Sequence, residues 1–556
     1  MPDRTTHSAR DLARDLARDH FGHDHLLPGQ ADVVEALAEG SDVLLVAPTG
    51  AGKSLTYLVA GRLLDGPVLV VSPLLALEQD QVDAVTRAPT EVAAARLSSV
   101  ETPAQREEAL ARAAAGEVGY LFCSPELLAD ADVRAALGAL APVLVTVDEA
   151  HCVSAWGHSF RPDYQRLGAL VADLGSPPVL AMTATAAAPV RDEIVERLRM
   201  REPRVVVTGF DRPEIELVVR RCRDADAQTS ATRALVAEQH AAGHAGLVYA
   251  RTRPAVEELA ALLAEDLGGE HVAAYHGGMA RRRREQVQDD FMAGRLDVVV
   301  ATSAFGMGVD KPDVRFVVHA QVPGSPDTYY QEVGRAGRDG EAATAVMMYR
   351  PEDLALGRYF VGGVPSRTEL RRTLDVVGGL TRADSLAAVD LAAVDPAAVA
   401  DELPFGRRKA GRLLTLLELG RVRLDDGDPE PRAVVDSALE VAEAQQRLER
   451  SRVEMVRTYA ETHRCRVEFL LAYFGEQHEP CGHCDACRAG TAADAHAEVE
   501  RADHPFAPST AVRHPEFGDG TVTDAEADTV TVLFDDAGYR TLDVRLAQEH
   551  ELLTAR

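Results

Sequence analysis

At 556 residues the chain has room for about three or four domains at roughly 100–200 residues each, which excludes a small single-core binding module. With 46% hydrophobic and 26% charged residues its composition is ordinarily globular, and no run reaches the about 18 apolar residues that a membrane span needs. Its 59 basic and 88 acidic side chains give a net charge of −29, which excludes a basic coat over the whole surface but leaves room for a local nucleic-acid groove.

The N-terminal MPDRTTHSARDLARDLARDH alternates acids and arginines where an export signal needs an apolar stretch, so a cytoplasmic protein with no membrane partner is expected. The first strong element is SDVLLVAPTGAGKSLTYLVA, an apolar strand that runs through a glycine-bearing loop into a helix. Its residues Thr49, Gly50, Gly52, Lys53 and Ser54 belong to the phosphate-binding pattern A-P-T-G-A-G-K-S. The glycines let backbone N–H groups face an anion, Lys53 reaches the β- and γ-phosphates, and Ser54 offers its hydroxyl to Mg²⁺. Lysine occurs only at 53, 311 and 409, so its retention in this loop points to a required point charge.

Further on, APVLVTVDEAHC carries a buried strand to Asp148 and Glu149. Ligand groups collect beyond the carboxyl ends of parallel strands, so Asp148 is expected to hold Mg²⁺ and Glu149 to orient or deprotonate an attacking water. LAMTATAAAPV, with Thr183 and Thr185, reads as a coupling element. A second α/β unit begins at GLVYARTRPAVEELAALL and has no phosphate loop, so it is not an independent nucleotide site. It ends in YYQEVGRAGRDG, where Arg335 and Arg338 stand at helical spacing and are expected to reach the γ-phosphate across an interdomain cleft.

Residues 363–450 read as an insertion. PAAVADELPFGRRKAGRLLTLLELGRVRL has the outline of a helix, a turn at Gly406, a second helix and a short strand. Two readings stay open: a winged helix with Arg407, Arg408, Lys409 and Arg412 on phosphates, or a helical spacer with a solvated basic face. Next, Cys465, Cys481, Cys484 and Cys487 have the spacing C-x15-C-x2-C-x2-C, which suits tetrahedral Zn²⁺, with Cys465 on a predicted helix from Arg452 to Phe474. His463, His478 and His483 read as bystanders. AGTAADAHAEVERADHPFAPST reads as a linker, and the remaining short β-runs are separated by Gly and Asp turns. From 491 to 556 there are 14 acidic and 5 basic residues, so a protein partner is expected there rather than phosphate.

The series APTGAGKS, VVSPLLALEQDQV, VDEAHCVSAWGHSFRPDY, MTATA, YHGGM, ATSAFGMGVDKPDVRFVVH and QEVGRAGRDG resembles the RecQ family of superfamily 2 helicases, over about 20–360 and again in the cysteine segment. The resemblance implies two tandem RecA-like lobes, an ATP-dependent DNA helicase travelling 3′ to 5′ on single-stranded and tailed duplex DNA, and a role in repair and recombination. It implies that Gln30 reads adenine, although Leu27 and His23 depart from the family's usual arginine and aromatic. It further implies that Trp156, Phe160 and Arg161, in a loop with His158 and Tyr164, bind single strands and couple that binding to Glu149. Ser72, Pro73, His276 and Gly277 would lie along the same strand, and the zinc would be structural. The C-terminal segment resembles the small Tudor-like barrel of UvrD and PcrA helicases. A rival reading is a strand-binding or annealing protein whose ATP site only regulates grip.

The expected architecture is therefore α/β: a first lobe at 1–206, a second at 207–362, a helical or winged-helix-like insert at 363–440, a zinc-binding helical module at 441–490, a linker at 491–508 and a small β-barrel at 509–556.

Overall fold

The structure is a computed structural model and describes residues 8–556 except 74–81, 83–84, 86–92, 99, 155–163, 165–166, 307–309, 382–388, 390, 392–393, 425–428, 502–504, 509 and 536. Short apolar strands alternating with helices produce parallel sheets buried on both faces. In the first lobe, β1 (Val43–Val46), β2 (Val68–Val71), β3 (Ala93–Leu97), β4 (Val118–Cys123), β5 (Leu144–Val147), β6 (Val179–Thr183) and β7 (Arg204–Val207) are ordered β3-β4-β2-β5-β6-β1-β7. Every pairing is parallel. Because β6 lies between β5 and β1, the loops leaving all three strands open onto one crevice at the carboxyl edge.

The second lobe repeats the plan with β8 (Ile215–Arg221), β9 (Ala245–Tyr249), β10 (Val272–Tyr275), β11 (Val298–Ala301), β12 (Val314–His319) and β13 (Ala343–Tyr349), ordered β10-β11-β9-β12-β13-β8 and again all parallel. Between β7 and β8, Phe210 is held on every side. Its ring stacks on Phe474 at 4.9 Å and meets Tyr330 edge-on at 5.9 Å, while its N–H donates to Glu476 at 2.8 Å. Arg191 of the first lobe donates to the Phe474 carbonyl at 3.1 Å, and Val219 of the second donates its N–H to Asp485 at 3.0 Å. The cysteine segment thus braces both lobes.

The insert is helical, and the winged-helix outline needs correction. Helices Arg367–Thr381, Pro396–Glu402 and Arg407–Arg423 are followed directly by the 31-residue helix Pro431–Glu461, and among the described residues of 363–440 there is no strand. The predicted strand at RVRL is the last turn of a helix. A Cβ on Gly420 would meet the Ala438 backbone N at 2.5 Å, so this helix packs backbone to backbone against the long one and stays helical through Val422. Leu370, Leu374, Leu413, Leu417 and Val434 give the insert its own core.

The long helix crosses the expected boundary at 440/441, and the expected single helix Arg452–Phe474 is two. Chain direction changes at 462–465, and Cys465 caps the second helix, Arg466–Tyr473. The segment read as linker contains helix Thr491–Arg501. The C-terminal unit is an antiparallel sheet of β14 (Ala511–His514), β15 (Gly518–Ala525), β16 (Thr529–Phe534), β17 (Gly538–Asp543) and β18 (Thr554–Ala555), ordered β17-β16-β15-β14-β18. Among the described residues the expected small β domain is a five-stranded antiparallel sheet. It docks on the zinc segment: Tyr539 stacks on Tyr473 at 4.8 Å, and Arg464 pairs with Asp524 at 2.5 Å and Glu468 at 2.6 Å. No helix among the described residues is long and apolar enough to cross a membrane.

Candidate active site and metal centre

The phosphate loop leaves β1 with Gly50 and Gly52 at φ +86° and +64°, conformations that favour glycine, and then opens the helix Lys53–Leu64. Lys53 Nζ donates to the carbonyls of Ala47 and Pro48 at 3.0 and 3.1 Å. Burial lowers its pKa, the nearby Glu149 and Asp148 oppose that shift, and the Arg338 charge adds to it. Gln30 clamps the loop from outside. Its Nε2 donates to the Ala51 and Gly52 carbonyls at 3.0 and 2.9 Å, and its Oε1 accepts the Leu27 N–H at 2.8 Å. A Cβ on Gly52 would strike that amide at 2.8 Å, a second reason for glycine there. Both ends of the expected adenine reader are therefore engaged with protein backbone.

Asp148 follows β5 and is buried beside Glu149; burial first, and then the neighbouring carboxylate, push its pKa up to about 7. Such a carboxyl pair is poorly solvated until a cation arrives, which fits the expected Mg²⁺ site shared with Ser54. Glu149 stands at φ +48°, strained for a residue with a Cβ. His151 Nδ1 lies 3.2 Å from Glu149 and 3.0 Å from the Thr183 hydroxyl, which donates to the Thr185 carbonyl at 3.1 Å. The end of β6 is thereby tied to the acids, as the position of that strand requires. Trp156, His158, Phe160 and Arg161 lie outside the described residues. Tyr164 at the far end of their loop is fully buried and donates to the Asp148 carbonyl at 3.2 Å.

The two expected arginine fingers behave differently. A Cβ placed on Gly50 would sit 3.5 Å from Arg338 Cγ, so Arg338 of the second lobe lies against the phosphate loop, where it also pairs with Asp310. Arg335 is 7% exposed and donates inward to the Gly306 carbonyl. Sequence reasoning missed Arg212, on the segment between the lobes. Its Nη1 donates to Thr49 O at 3.1 Å and Gly334 O at 3.0 Å, and its Nη2 to Ala336 O at 2.7 Å. The only sequence signal was an Arg-Pro step in GFDRPEI at the lobe junction.

Among the expected strand-contacting residues, Ser72 is buried at the end of β2, Pro73 follows it half-buried, and Gly277 is exposed. The His276 ring shapes its own turn: Nε2 donates to Glu257 at 3.0 Å and Nδ1 accepts the Gly278 N–H at 3.2 Å. Arg253 lies beside that turn, since a Cβ on Gly278 would meet its guanidinium at 2.7 Å.

The Sγ atoms of Cys465, Cys481, Cys484 and Cys487 lie within 4.8 Å of one another. Backbone N–H groups of Arg466, Cys481, Cys484 and Cys487 donate to these sulfurs at 3.2–3.4 Å. Such donors stabilise thiolates, and four thiolates this close repel unless a divalent cation sits among them, so the set fits zinc. His483 Nδ1 instead contacts the Cys481 carbonyl at 2.9 Å.

Family models match in three places: DEAD/DEAH box helicase over 27–193, helicase conserved C-terminal domain over 227–340, and RecQ zinc-binding over 430–488. Two solved structures share the two-lobed fold. The DNA-bound DUF1998 helicase MrfA has a TM-score of 0.54 at 21% identity, covering 65% of this chain and 54% of that one. The DEAD-box helicase Mss116 bound to ssRNA and UDP-BeF has a TM-score of 0.52 at 16% identity, covering 76% and 90%. The ATP-dependent DNA helicase RecQ of Haemophilus influenzae is 38% identical over 346 residues, 62% of this chain and 54% of that protein, so the chain spans about half its length. The ATP-dependent DNA helicase RecQ of Synechocystis sp. is 32% identical over 498 residues, 86% of this chain and 99% of that one. A likeness that runs through virtually the whole Synechocystis protein, joined to a RecQ zinc-binding match on the cysteine segment, makes this chain a member of the RecQ family.

Proposed function

We propose that the chain is an ATP-dependent DNA helicase that moves 3′ to 5′ along single-stranded DNA and separates tailed duplexes, in repair and recombination within the cytoplasm. The observation that carries this reading is Arg338 of the second lobe lying against Gly50 of the phosphate loop, because a nucleotide bound there is sensed by both lobes at once. Gly50, Gly52 and Lys53 hold the phosphates, with Thr49 in the same loop, and Ser54 and Asp148 hold Mg²⁺, which when bound neutralises phosphate charge. Glu149 takes a proton from the attacking water, Arg338 stabilises charge on the transferred group, and Arg335 positions the 302–306 segment through Gly306. Gln30 reaches the base only by exchanging its hydrogen bonds to the loop. Trp156, Phe160 and Arg161, with Ser72, Pro73, His276 and Gly277, form the strand side, and Tyr164 transmits strand binding to Asp148. The acidic outer face of 509–556 is read as a docking face for a protein partner.

The test compares ATP turnover and strand separation on duplexes with a 3′ or a 5′ single-stranded tail, with Glu149→Gln as control. Unwinding restricted to the 3′ tail and lost in the control is the expected result. DNA-stimulated hydrolysis without unwinding on either tail would replace it with a translocase or annealing protein.

A further inference from the structure

A cavity of about 700 Å³ opens where the C-terminal sheet meets the long helix Pro431–Glu461. Arg358, Arg447, Arg450 and Arg540 line it, and Glu454 is the acid among its described lining residues. Glu454 pairs with Arg358 at 2.6 Å and Glu443, outside the lining, pairs with Arg447 at 3.8 Å, so the lining itself carries four guanidinium groups and one carboxylate. Burial and the neighbouring Arg447 charge depress the Arg540 pKa, and the Glu516 charge opposes them. In a chain of net charge −29, and against a sheet whose own segment is acidic, such clustering runs opposite to the background.

The walls are fixed. A Cβ on Gly538 would meet Ser451 Oγ at 2.5 Å and Leu448 Cα at 3.0 Å, so the strand lies directly on the helix, and Tyr539 N–H donates to Ser451 at 3.0 Å. Arg540 is held by its own contacts, with Nη1 on the Tyr539 carbonyl at 2.9 Å and its guanidinium 5.5 Å from the Phe517 ring centre.

A second, independent observation lies next to Arg358. Tyr359 is 77% exposed and Phe360 51%, an unusual use of two aromatic rings on a surface. Phe360 lies under the Arg251 guanidinium at 5.3 Å, and Arg251 follows the carboxyl end of β9. The aromatic pair therefore sits between the arginine cavity and the strand edge where ligand groups of a parallel sheet collect.

We infer that the arginine cavity and the Tyr359–Phe360 pair form a binding track for the phosphodiester backbone of a single-stranded nucleic acid, with a base stacked on Tyr359. Exposed aromatic rings interleaved with arginines are what such a strand requires, since stacking tolerates any base and guanidinium forks suit phosphate oxygens. The inference rests on the helicase reading in that the strand is the one the motor grips. Free polyphosphate offers the same oxygens without a base, so the test separates the two.

The full chain is compared with Arg447→Ala/Arg450→Ala/Arg540→Ala, with Arg450→Glu and with Tyr359→Ala, using fluorescence anisotropy on oligo-dT of about 10 and about 30 nucleotides across a salt series, after thermal unfolding shows each variant folded. For the long strand, the triple variant is expected to bind about tenfold more weakly and to lose about 2 from the slope of log K against log salt, the share of three phosphate contacts on a single strand. Arg450→Glu weakens the long strand as well, Tyr359→Ala weakens it without changing the salt slope, and all variants bind the short strand as the unaltered chain does. Unchanged long-strand affinity and slope in both arginine variants overturn the track. If the arginine variants lose tripolyphosphate binding while Tyr359→Ala leaves the long strand unaffected, the site belongs to free polyphosphate and the strand assignment falls. Absence of DNA-stimulated ATP hydrolysis in the unaltered chain sinks the helicase reading instead, and the binding comparison still reads the cavity.

Discussion

Arg212 Nη1 donates to the carbonyl of Thr49 at 3.1 Å, joining the segment between the lobes to the phosphate loop, and the same guanidinium reaches the Gly334 and Ala336 carbonyls of the second lobe. A planar fork is needed to serve carbonyls on both sides of a cleft. Arg212→Ala is expected to lower DNA-stimulated ATP turnover by about ten- to a hundredfold, in line with about 1.5–3 kcal/mol for a charge-assisted hydrogen bond, while nucleotide affinity changes less. Arg212→Lys, which cannot span the same acceptors, should rescue little. Turnover at saturating DNA beside direct nucleotide binding distinguishes this from simple loss of the site.

Tyr164→Phe removes only the hydroxyl that reaches Asp148 O. The loss of about 1 kcal/mol in a buried hydrogen bond should reduce stimulation by single-stranded DNA several-fold and spare basal hydrolysis. Trp156→Ala should give the same uncoupling more strongly. A stimulation ratio equal to that of the unaltered chain in both variants would remove this loop from the coupling path.

One zinc per chain is expected by elemental analysis. Chelation or Cys484→Ser should lower the melting temperature before it changes basal ATP turnover, because the cysteines hold Asp485, and Asp485 holds both Arg466 and the Val219 N–H. An unaltered melting profile with no bound zinc would contradict the metal assignment.

Arg464 is buried between Asp524 of the C-terminal sheet and Glu468 of the zinc segment. Arg464→Ala strands two buried carboxylates at a cost of about 3–5 kcal/mol, so the sheet should undock and proteases should cut between it and the zinc segment. Arg464→Met combined with Asp524→Leu and Glu468→Leu, which leaves neither buried carboxylate unpaired, should restore protection. Protease sensitivity of the single variant identical to that of the intact chain would count against this docking contact.

What was legible in the sequence was chemistry written in consecutive residues. Lys53 and Ser54 open a helix because a strand and a glycine loop precede them, Asp148 and Glu149 end a strand, and closely spaced cysteines must converge. Contacts made by distant segments were not legible. Nothing near Arg212 announces that it reaches a carbonyl 163 residues away, and the helical spacing expected of Arg335 and Arg338 does not hold, because the helix ends at Val333 and the two arginines lie in the turns after it, one facing inward and the other against the phosphate loop. The supposed strand at 421–424 failed because local β preference at Val422 yields to the close crossing at Gly420, a tertiary contact invisible to a window of residues. The boundary at 440/441 failed because the helix Pro431–Glu461 serves two cores, the insert's through Val434 and Ala438 and the zinc segment's through Val456 and Tyr459.

The grip on Phe210 gives the zinc segment a mechanical meaning. Phe210 lies on the segment that joins the two parallel sheets, and the rings of Phe474 and Tyr330 with the carboxylate of Glu476 enclose it as a bearing encloses a shaft. Such an enclosure ties any movement at this joint to the packing of the zinc segment. On the helicase reading, loss of zinc would loosen this joint while leaving the residues of the phosphate loop in place.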